Sequence, residues 1–143
     1  MNKIHSAIHR LHNADLGVLF LRVAVGVVFI HAGYLKLADM TLVITGFGAI
    51  GFPAWLAYFV AYCELLGGLA VLLGIFVRYA GVVLAIIMLV AFWKVLGPNG
   101  FGLSNNPQLG GGYEYVFVLF FSSLALVTLG AGKYSLARLL SKF

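Results

Sequence analysis

Apolar residues dominate four long stretches of this chain, and most polar residues lie in the segments between them. The stretches cover residues 16–38, 54–76, 79–97 and 113–131. At about 1.5 Å rise per residue, each is long enough to cross a hydrocarbon layer of about 30 Å. Only two residues separate the second stretch from the third, so these two must form an antiparallel hairpin. The pattern predicts an all-α membrane domain over residues 16–140, an antiparallel bundle of four transmembrane helices.

The first fifteen residues have a different pattern, which is typical of a helix lying on a membrane surface. Apolar residues at positions 4, 8 and 11 fall on one stripe of a helix, and histidines at positions 5, 9 and 12 fall on the neighbouring stripe. Three histidines with this spacing also suit a metal ion, but no carboxylate or thiol lies nearby to complete a site. We therefore predict an interfacial segment over residues 1–15 and no metal site.

The basic residues predict the orientation of the chain. Lysine and arginine occur in the N-terminal segment, in the 77–78 turn and in the tail, whereas the connections 39–53 and 98–112 contain none. Because cytoplasmic loops carry an excess of basic residues, both termini are expected in the cytoplasm. The two longer connections would then face outward, as irregular, glycine-rich loops lying on the end of the bundle as a lid or a partner surface.

Composition and charge narrow the function classes. The chain has 63% hydrophobic and 9% charged residues, far from the composition of a soluble domain. Its net charge of +5 comes from basic residues that flank the helices, so we expect a lipid bilayer and no nucleic acid as its partner. The single cysteine, Cys63, excludes dithiol chemistry within one subunit.

Five ionisable residues inside or at the ends of the predicted spans are the candidate ligand-binding residues. A charge in hydrocarbon costs at least about 2.5–3.5 kcal/mol unless it is paired or hydrated. One stripe of the first span carries a charge near each end with small residues between them, and we expect this stripe to face the bundle. Glu64 shares its helix face with the small residues Gly67 and Gly68. The five are Arg22, Lys36, Glu64, Lys94 and Glu114.

Depth along the helices predicts how these charges pair. Counting from the cytoplasmic ends puts Arg22 about 9 Å deep and Glu64 about 18 Å deep, a gap that an arginine side chain can largely close. Arg22–Glu64 is therefore the expected ion pair, with a role in helix register alone as the alternative. Lys36, Lys94 and Glu114 are expected to cluster at the outer ends of their helices, or else to reach water separately.

Aromatic residues also concentrate toward the outer side of the predicted bundle. The pattern is typical of an interfacial aromatic belt, and a stacking platform for a ring-shaped ligand is the alternative. The residues are Trp55, Tyr58, Tyr62, Trp93, Tyr113 and Tyr115.

The order of these motifs resembles the DoxX family of small four-span membrane proteins over residues 16–140. The matching residues are Leu21-Arg22, Gly26, the Gly33–Lys36 step, Glu64-Leu65-Leu66-Gly67-Gly68, Leu73-Gly74, Arg78, Glu114 and the segment 130–136. The resemblance implies a multi-pass protein of the bacterial cytoplasmic (inner) membrane, related to subunits of membrane oxidoreductase complexes. Many relatives have a histidine where this chain has Trp93-Lys94 and an aspartate where it has Ala137, so roles that need those groups are in doubt.

Three functions fit these residues. The first is a subunit of a membrane oxidoreductase system that binds a quinone-like or other small lipophilic ligand, with Arg22 and Lys36 on the ligand oxygens and Glu64 as the catalytic proton carrier. Such a subunit needs a redox partner, and whether the chain is an enzyme by itself stays open. The second is a non-catalytic membrane anchor or assembly factor, and the third is a small ion-coupled transporter. In all three, Gly67-Gly68 is expected to lie on an association surface for a partner or a second copy.

Overall fold

The computed structural model describes residues 13–96 and 113–141, and all regular secondary structure in this part of the chain is helical. The predicted surface histidines and the connection 98–112 lie outside the described residues. The helices are α1 (Ala14–Ala38), α2 (Met40–Ala49), α3 (Ala54–Leu73), α4 (Val77–Ala91), which continues into a π-helix (Phe92–Leu96), α5 (Glu114–Leu129) and α6 (Leu136–Leu140).

The four long helices form the predicted bundle. Helix α1 packs mainly against α3, α4 packs against α5, and α3 contacts α4. The segments Ala14–Ala38, Ala54–Leu73 and Val77–Lys94 are long and apolar enough to span a membrane, and α5 is an apolar helix of 16 residues. Large apolar side chains such as Phe20, Leu66 and Phe121 cover the outer surface, as a bilayer requires. The all-α, four-helix prediction is confirmed.

The connection 39–53 is not the irregular loop that its glycines predicted. Residues Met40–Ala49 form helix α2, and the Asp39 side chain caps it by accepting a hydrogen bond from the Leu42 N–H at 3.2 Å. Backbone groups close to hydrocarbon have little water to bond with, so a helix that satisfies them internally is favoured over irregular chain. This connection is therefore a short helix that packs against α3.

Glycines bring α1 and α3 into backbone contact. A Cβ atom placed on Gly33 would lie 2.5 Å from the Leu65 nitrogen, and one on Gly68 would lie 2.7 Å from the Ile30 nitrogen. Only hydrogen fits at these positions, so the helices approach as closely as small-residue contacts in membranes allow. The predicted bundle-facing stripe of α1 is confirmed, since Gly26, Phe29 and Gly33 are all buried.

The same contacts correct the expected association surface. Gly68 is buried against α1, and a Cβ atom on Gly67 would lie 3.1 Å from the Leu84 side chain of α4. Gly68 is thus covered by α1, and the half-buried Gly67 packs against α4, so both glycines serve packing within the chain. The prediction that they form an association surface is wrong.

Candidate functional site

A cavity of about 410 Å³ lies between the helices at the end of the bundle where α1 ends and α3 begins. Helices α1, α3, α4 and α5 form its sides, and Phe47, Ile50 and Phe52, in and after α2, contribute to its wall. Nearly all of its wall is apolar. Among the wall residues that the structure describes, the exceptions are three polar side chains, Lys36, Glu64 and Tyr115.

The central polar feature of the cavity is an ion pair between α1 and α3. The Lys36 ammonium group donates a hydrogen bond to Glu64 Oε2. Glu64 is 2% exposed and lies midway along α3, whereas Lys36 is in the last turn of α1 with its side chain 28% exposed. A carboxylate in this position needs a cation or a proton, and the lysine stem carries the cation inward from the end of α1.

Arg22 has different partners from those predicted. Its Nε donates to the Val71 carbonyl at 2.9 Å and its Nη2 donates to the Leu72 carbonyl at 2.8 Å. Its Nη1 donates to the carbonyls of Ala131 and Tyr134 at 2.9 and 2.6 Å. The expected Arg22–Glu64 pair is therefore wrong.

The physical reason lies in the end of α3. The last carbonyls of a helix lack partners in a following turn, and the forked guanidinium of Arg22 donates to two of them together with two carbonyls beyond α5. The Val71 carbonyl also accepts from the Gly74 N–H at 3.2 Å. Val71 is seven residues after Glu64, about 10 Å farther along the helix axis. Arg22 does not line the cavity, and its contacts hold α3 and the segment after α5 onto α1.

The expected outer cluster of Lys36, Lys94 and Glu114 does not form among the described residues. Lys36 pairs with Glu64, and Lys94 Nζ lies 5.6 Å from the centroid of the Trp93 ring. No ion pair joins Glu114 to either lysine in the described ranges, and neither Lys94 nor Glu114 lines the cavity. The alternative, in which each group reaches water separately, does not hold for Lys36 and stays a prediction for Lys94 and Glu114.

Tyr115 is the polar residue of the cavity wall that lies outside the five predicted ligand-binding residues. The sequence predicts it in the aromatic belt or in the alternative stacking platform, and its position directly after Glu114 at the start of the last span is the one signal that favours a polar site. Four other residues of the predicted belt are exposed and do not line the cavity, namely Trp55, Tyr58, Tyr62 and Trp93. Their positions agree with an interfacial belt, and the aromatic part of the cavity wall comes mostly from phenylalanines.

The fold and the buried ion pair define a class, the small multi-pass helical membrane proteins. The chain belongs to the DoxX family, whose sequence model matches residues 17–97, a range that includes Lys36 and Glu64. It is 32% identical to a Bacillus subtilis (strain 168) protein named "Putative oxidoreductase CatD" over 82% of this chain and 81% of that protein. It is 31% identical to the "Inner membrane protein YqjF" of Escherichia coli (strain K12) over 90% of this chain and 95% of that protein. No solved structure matches the chain.

Proposed function

We propose that this protein is the ligand-binding subunit of a membrane oxidoreductase system and that it binds a quinone-like molecule, or another small lipophilic ligand, in the cavity. The observation that carries the proposal is the cavity itself, an apolar space of about 410 Å³ with one ion pair on its wall. Binding sites for small organic cofactors have volumes of about 300–1,000 Å³, with mostly apolar walls and a few polar groups that orient the ligand. The oxidoreductase class of the proposal is supported by the name of the Bacillus subtilis relative.

The polar groups of the cavity suit a ring with two oxygens. The Lys36 ammonium has three N–H groups, of which one is on Glu64, so the others are available to a carbonyl oxygen of the ligand. Tyr115 also lines the cavity, and in this proposal its hydroxyl is a second donor. The Glu64 carboxylate accepts a hydrogen bond from the hydroxyl of a reduced ligand, and in this proposal it carries protons to and from that oxygen.

Reduction of a quinone to a quinol takes two electrons and two protons. In the proposal the electrons come from a partner protein, because the part of the chain that the structure describes has one cysteine and no cluster of three His, Cys, Asp or Glu residues. Protons reach the ring through Glu64. The proposed site therefore comprises Lys36, Glu64 and Tyr115, with Arg22 as a structural residue and with Lys94 and Glu114 outside the wall.

The experiment that tests the proposal is the recovery of ligand with purified protein. The chain is purified in lipid nanodiscs from its native membrane, and solvent extracts are analysed by absorbance and mass spectrometry. We expect a quinone or another lipophilic redox molecule with the wild type, and its loss, by tenfold or more, with Glu64→Gln and Lys36→Met.

Asp15→Asn is the matched control. Asp15 forms an ion pair with Lys133 at 3.2 Å, and neither of these residues lines the cavity. The control should retain ligand as the wild type does. A wild type without any ligand, which also fails to bind added quinone, would contradict the proposal and favour the role of an anchor or assembly factor.

A further inference from the structure

We infer that the ligand of the cavity carries a long hydrocarbon tail, and that this tail leaves the cavity sideways into the bilayer through a gap between α3 and α4. The inference rests on the proposed function, since it concerns the same cavity, and it adds the class of ligand and its route. Phe59 on α3 and Ile86 and Val90 on α4 define what we call the α3–α4 gap.

The two helices are in close contact near the turn that joins them. The Leu84 side chain of α4 packs onto Gly67 of α3, where an added Cβ atom would lie 3.1–3.4 Å from three of its atoms. The connection between the helices is short, since α3 ends at Leu73 and α4 begins at Val77. Helices α3 and α4 are therefore in direct contact, with no space between them, near this turn.

Farther from the turn, the cavity lies between the same two helices. Val60 of α3 and Ala91 of α4 both line it. Beside them, the three residues of the α3–α4 gap line the cavity and are also exposed, Phe59 at 55%, Ile86 at 56% and Val90 at 39%. Met88 lines the same cavity and is 6% exposed, so contact with the cavity alone does not expose a side chain. The gap residues therefore belong both to the wall of the cavity and to the outer surface of the bundle, and in this inference the cavity opens between them. Tyr115 is also an exposed wall residue, at 58%, but it is polar and lies on α5.

The chemistry of the opening favours hydrocarbon. The residues of the α3–α4 gap have no hydrogen-bonding side chains, and the surface on which they lie faces lipid. Toward the connecting segments, Phe47 and Phe52 are on the wall of the cavity with their ring centroids 5.9 Å apart. A ligand that places a polar ring at Lys36–Glu64 and an apolar tail in the gap matches both ends of this space.

Binding of two benzoquinones tests the inference. One has a ten-carbon alkyl tail, and the other has the same ring with a methyl group in place of the tail. Both are titrated into lipid nanodiscs that hold the wild type or Val90→Trp, and binding to nanodiscs without protein is subtracted. Each variant is compared with the wild type for the same ligand, so the partitioning of that ligand into lipid cancels. We expect Val90→Trp to weaken binding of the tailed ligand by tenfold or more and that of the methyl ligand by less than twofold.

Leu89→Trp is the matched control, because Leu89 is the preceding residue of α4, is exposed, and does not line the cavity. It should bind both ligands as the wild type does. If Val90→Trp binds the tailed ligand with wild-type affinity, the gap does not hold the tail and the inference is overturned while the proposed function stands. If it weakens both ligands equally, the tail route is likewise overturned. If the wild type binds neither ligand, the proposed function and the inference fall together.

Discussion

Single residues decide how closely α1 and α3 approach, and Gly33 is the sharpest case. Its missing side chain leaves room for the backbone of α3, since a Cβ atom would lie 2.5 Å from the Leu65 nitrogen and 2.8 Å from the Ala61 oxygen. Backbone atoms of a helix cannot move aside as the end of a flexible side chain does. Any side chain at position 33 must therefore push the two helices apart.

Gly33→Ala is expected to lower the stability of the bundle by about 2 kcal/mol, a typical cost of overpacking. The measurement is reversible unfolding in mixed micelles. Gly17→Ala is the control in the same helix, where an added Cβ atom has nothing within 4 Å. Alanine favours helix over glycine by up to about 1 kcal/mol, so the control should be neutral or slightly stabilising. Equal effects of the two substitutions would contradict close packing at Gly33.

The Lys36–Glu64 pair gives a second prediction for single residues. Lys36→Met removes the cation and leaves the buried carboxylate unpaired, which should cost about 3 kcal/mol of unfolding free energy. Replacing both residues, in Lys36→Met/Glu64→Gln, removes the charge together with its partner and should recover more than half of that loss.

The measurement for the ion pair is a double-mutant cycle in the same unfolding assay. Two single substitutions whose effects add up in the double variant would show that the pair contributes no coupling. That outcome would contradict the contact seen between Lys36 and Glu64.

At the scale of helices and segments, Arg22 joins three parts of the chain. It starts from α1 and binds the last carbonyls of α3 and two carbonyls of the segment that follows α5. Gly74, which ends α3 in a left-handed conformation with φ 77°, lies against the same guanidinium, where a Cβ atom would be 2.5 Å from Nη2. Arg22 thus holds this end of the bundle together, and Asp15 adds a second link by accepting from the Lys133 N–H at 3.0 Å and pairing with its ammonium group.

Arg22→Lys keeps the positive charge but loses the fork that reaches both groups of carbonyls. We expect it to destabilise the protein by about 3 kcal/mol and to loosen the segment after α5, because buried carbonyls lose their partners. Limited proteolysis measures the second effect, with faster trypsin cleavage after Lys133 in the variant.

Arg138→Lys is the control for this substitution, since Arg138 is exposed on the short helix α6. Its cleavage rate and stability should match those of the wild type. Unchanged cleavage after Lys133 in Arg22→Lys would show that Arg22 does not hold the segment.

At the scale of the whole molecule, the prediction concerns the orientation of the bundle in the membrane. We propose both termini in the cytoplasm, because Arg78, Lys133 and Arg138 lie in or next to the connections and tail at one end of the bundle, whereas α2 and its flanking residues carry no lysine or arginine. The relative named as an inner membrane protein supports a cytoplasmic membrane as the location.

The prediction uses a Cys63→Ala background and one introduced cysteine at a time. A membrane-impermeant maleimide added to intact cells should label Ala49→Cys and should label Ser141→Cys only after the membrane is opened. Both positions are exposed, so access depends on the side of the membrane. The reverse pattern would overturn the proposed orientation and move the cavity end to the cytoplasmic side.

The fold could be predicted from the sequence to a large extent, whereas the site could be predicted only in part. Lys36 and Glu64 were identified as functional candidates because charges inside apolar spans need partners. The pairing was wrong because counting residues from the span ends does not give the axial offset between helices. The sequence predicts Tyr115 in an aromatic belt or a stacking platform and the connection 39–53 on the end of the bundle. It does not decide which of these residues line a cavity, because a residue at the start of a span and a glycine-rich connection look the same in either case.

By itself, the sequence determined the four apolar helices, their order, the hairpin of α3 and α4 and the buried stripe of α1, because span length, hydropathy and helical periodicity are local properties. The tertiary structure alone decided which charge meets which partner. Glycine contacts set the offset of α1 against α3, and this offset brings Lys36 to Glu64. The partners of Arg22 are backbone carbonyls, which every residue has, so no sequence pattern marks them and only the position of the helix ends selects them.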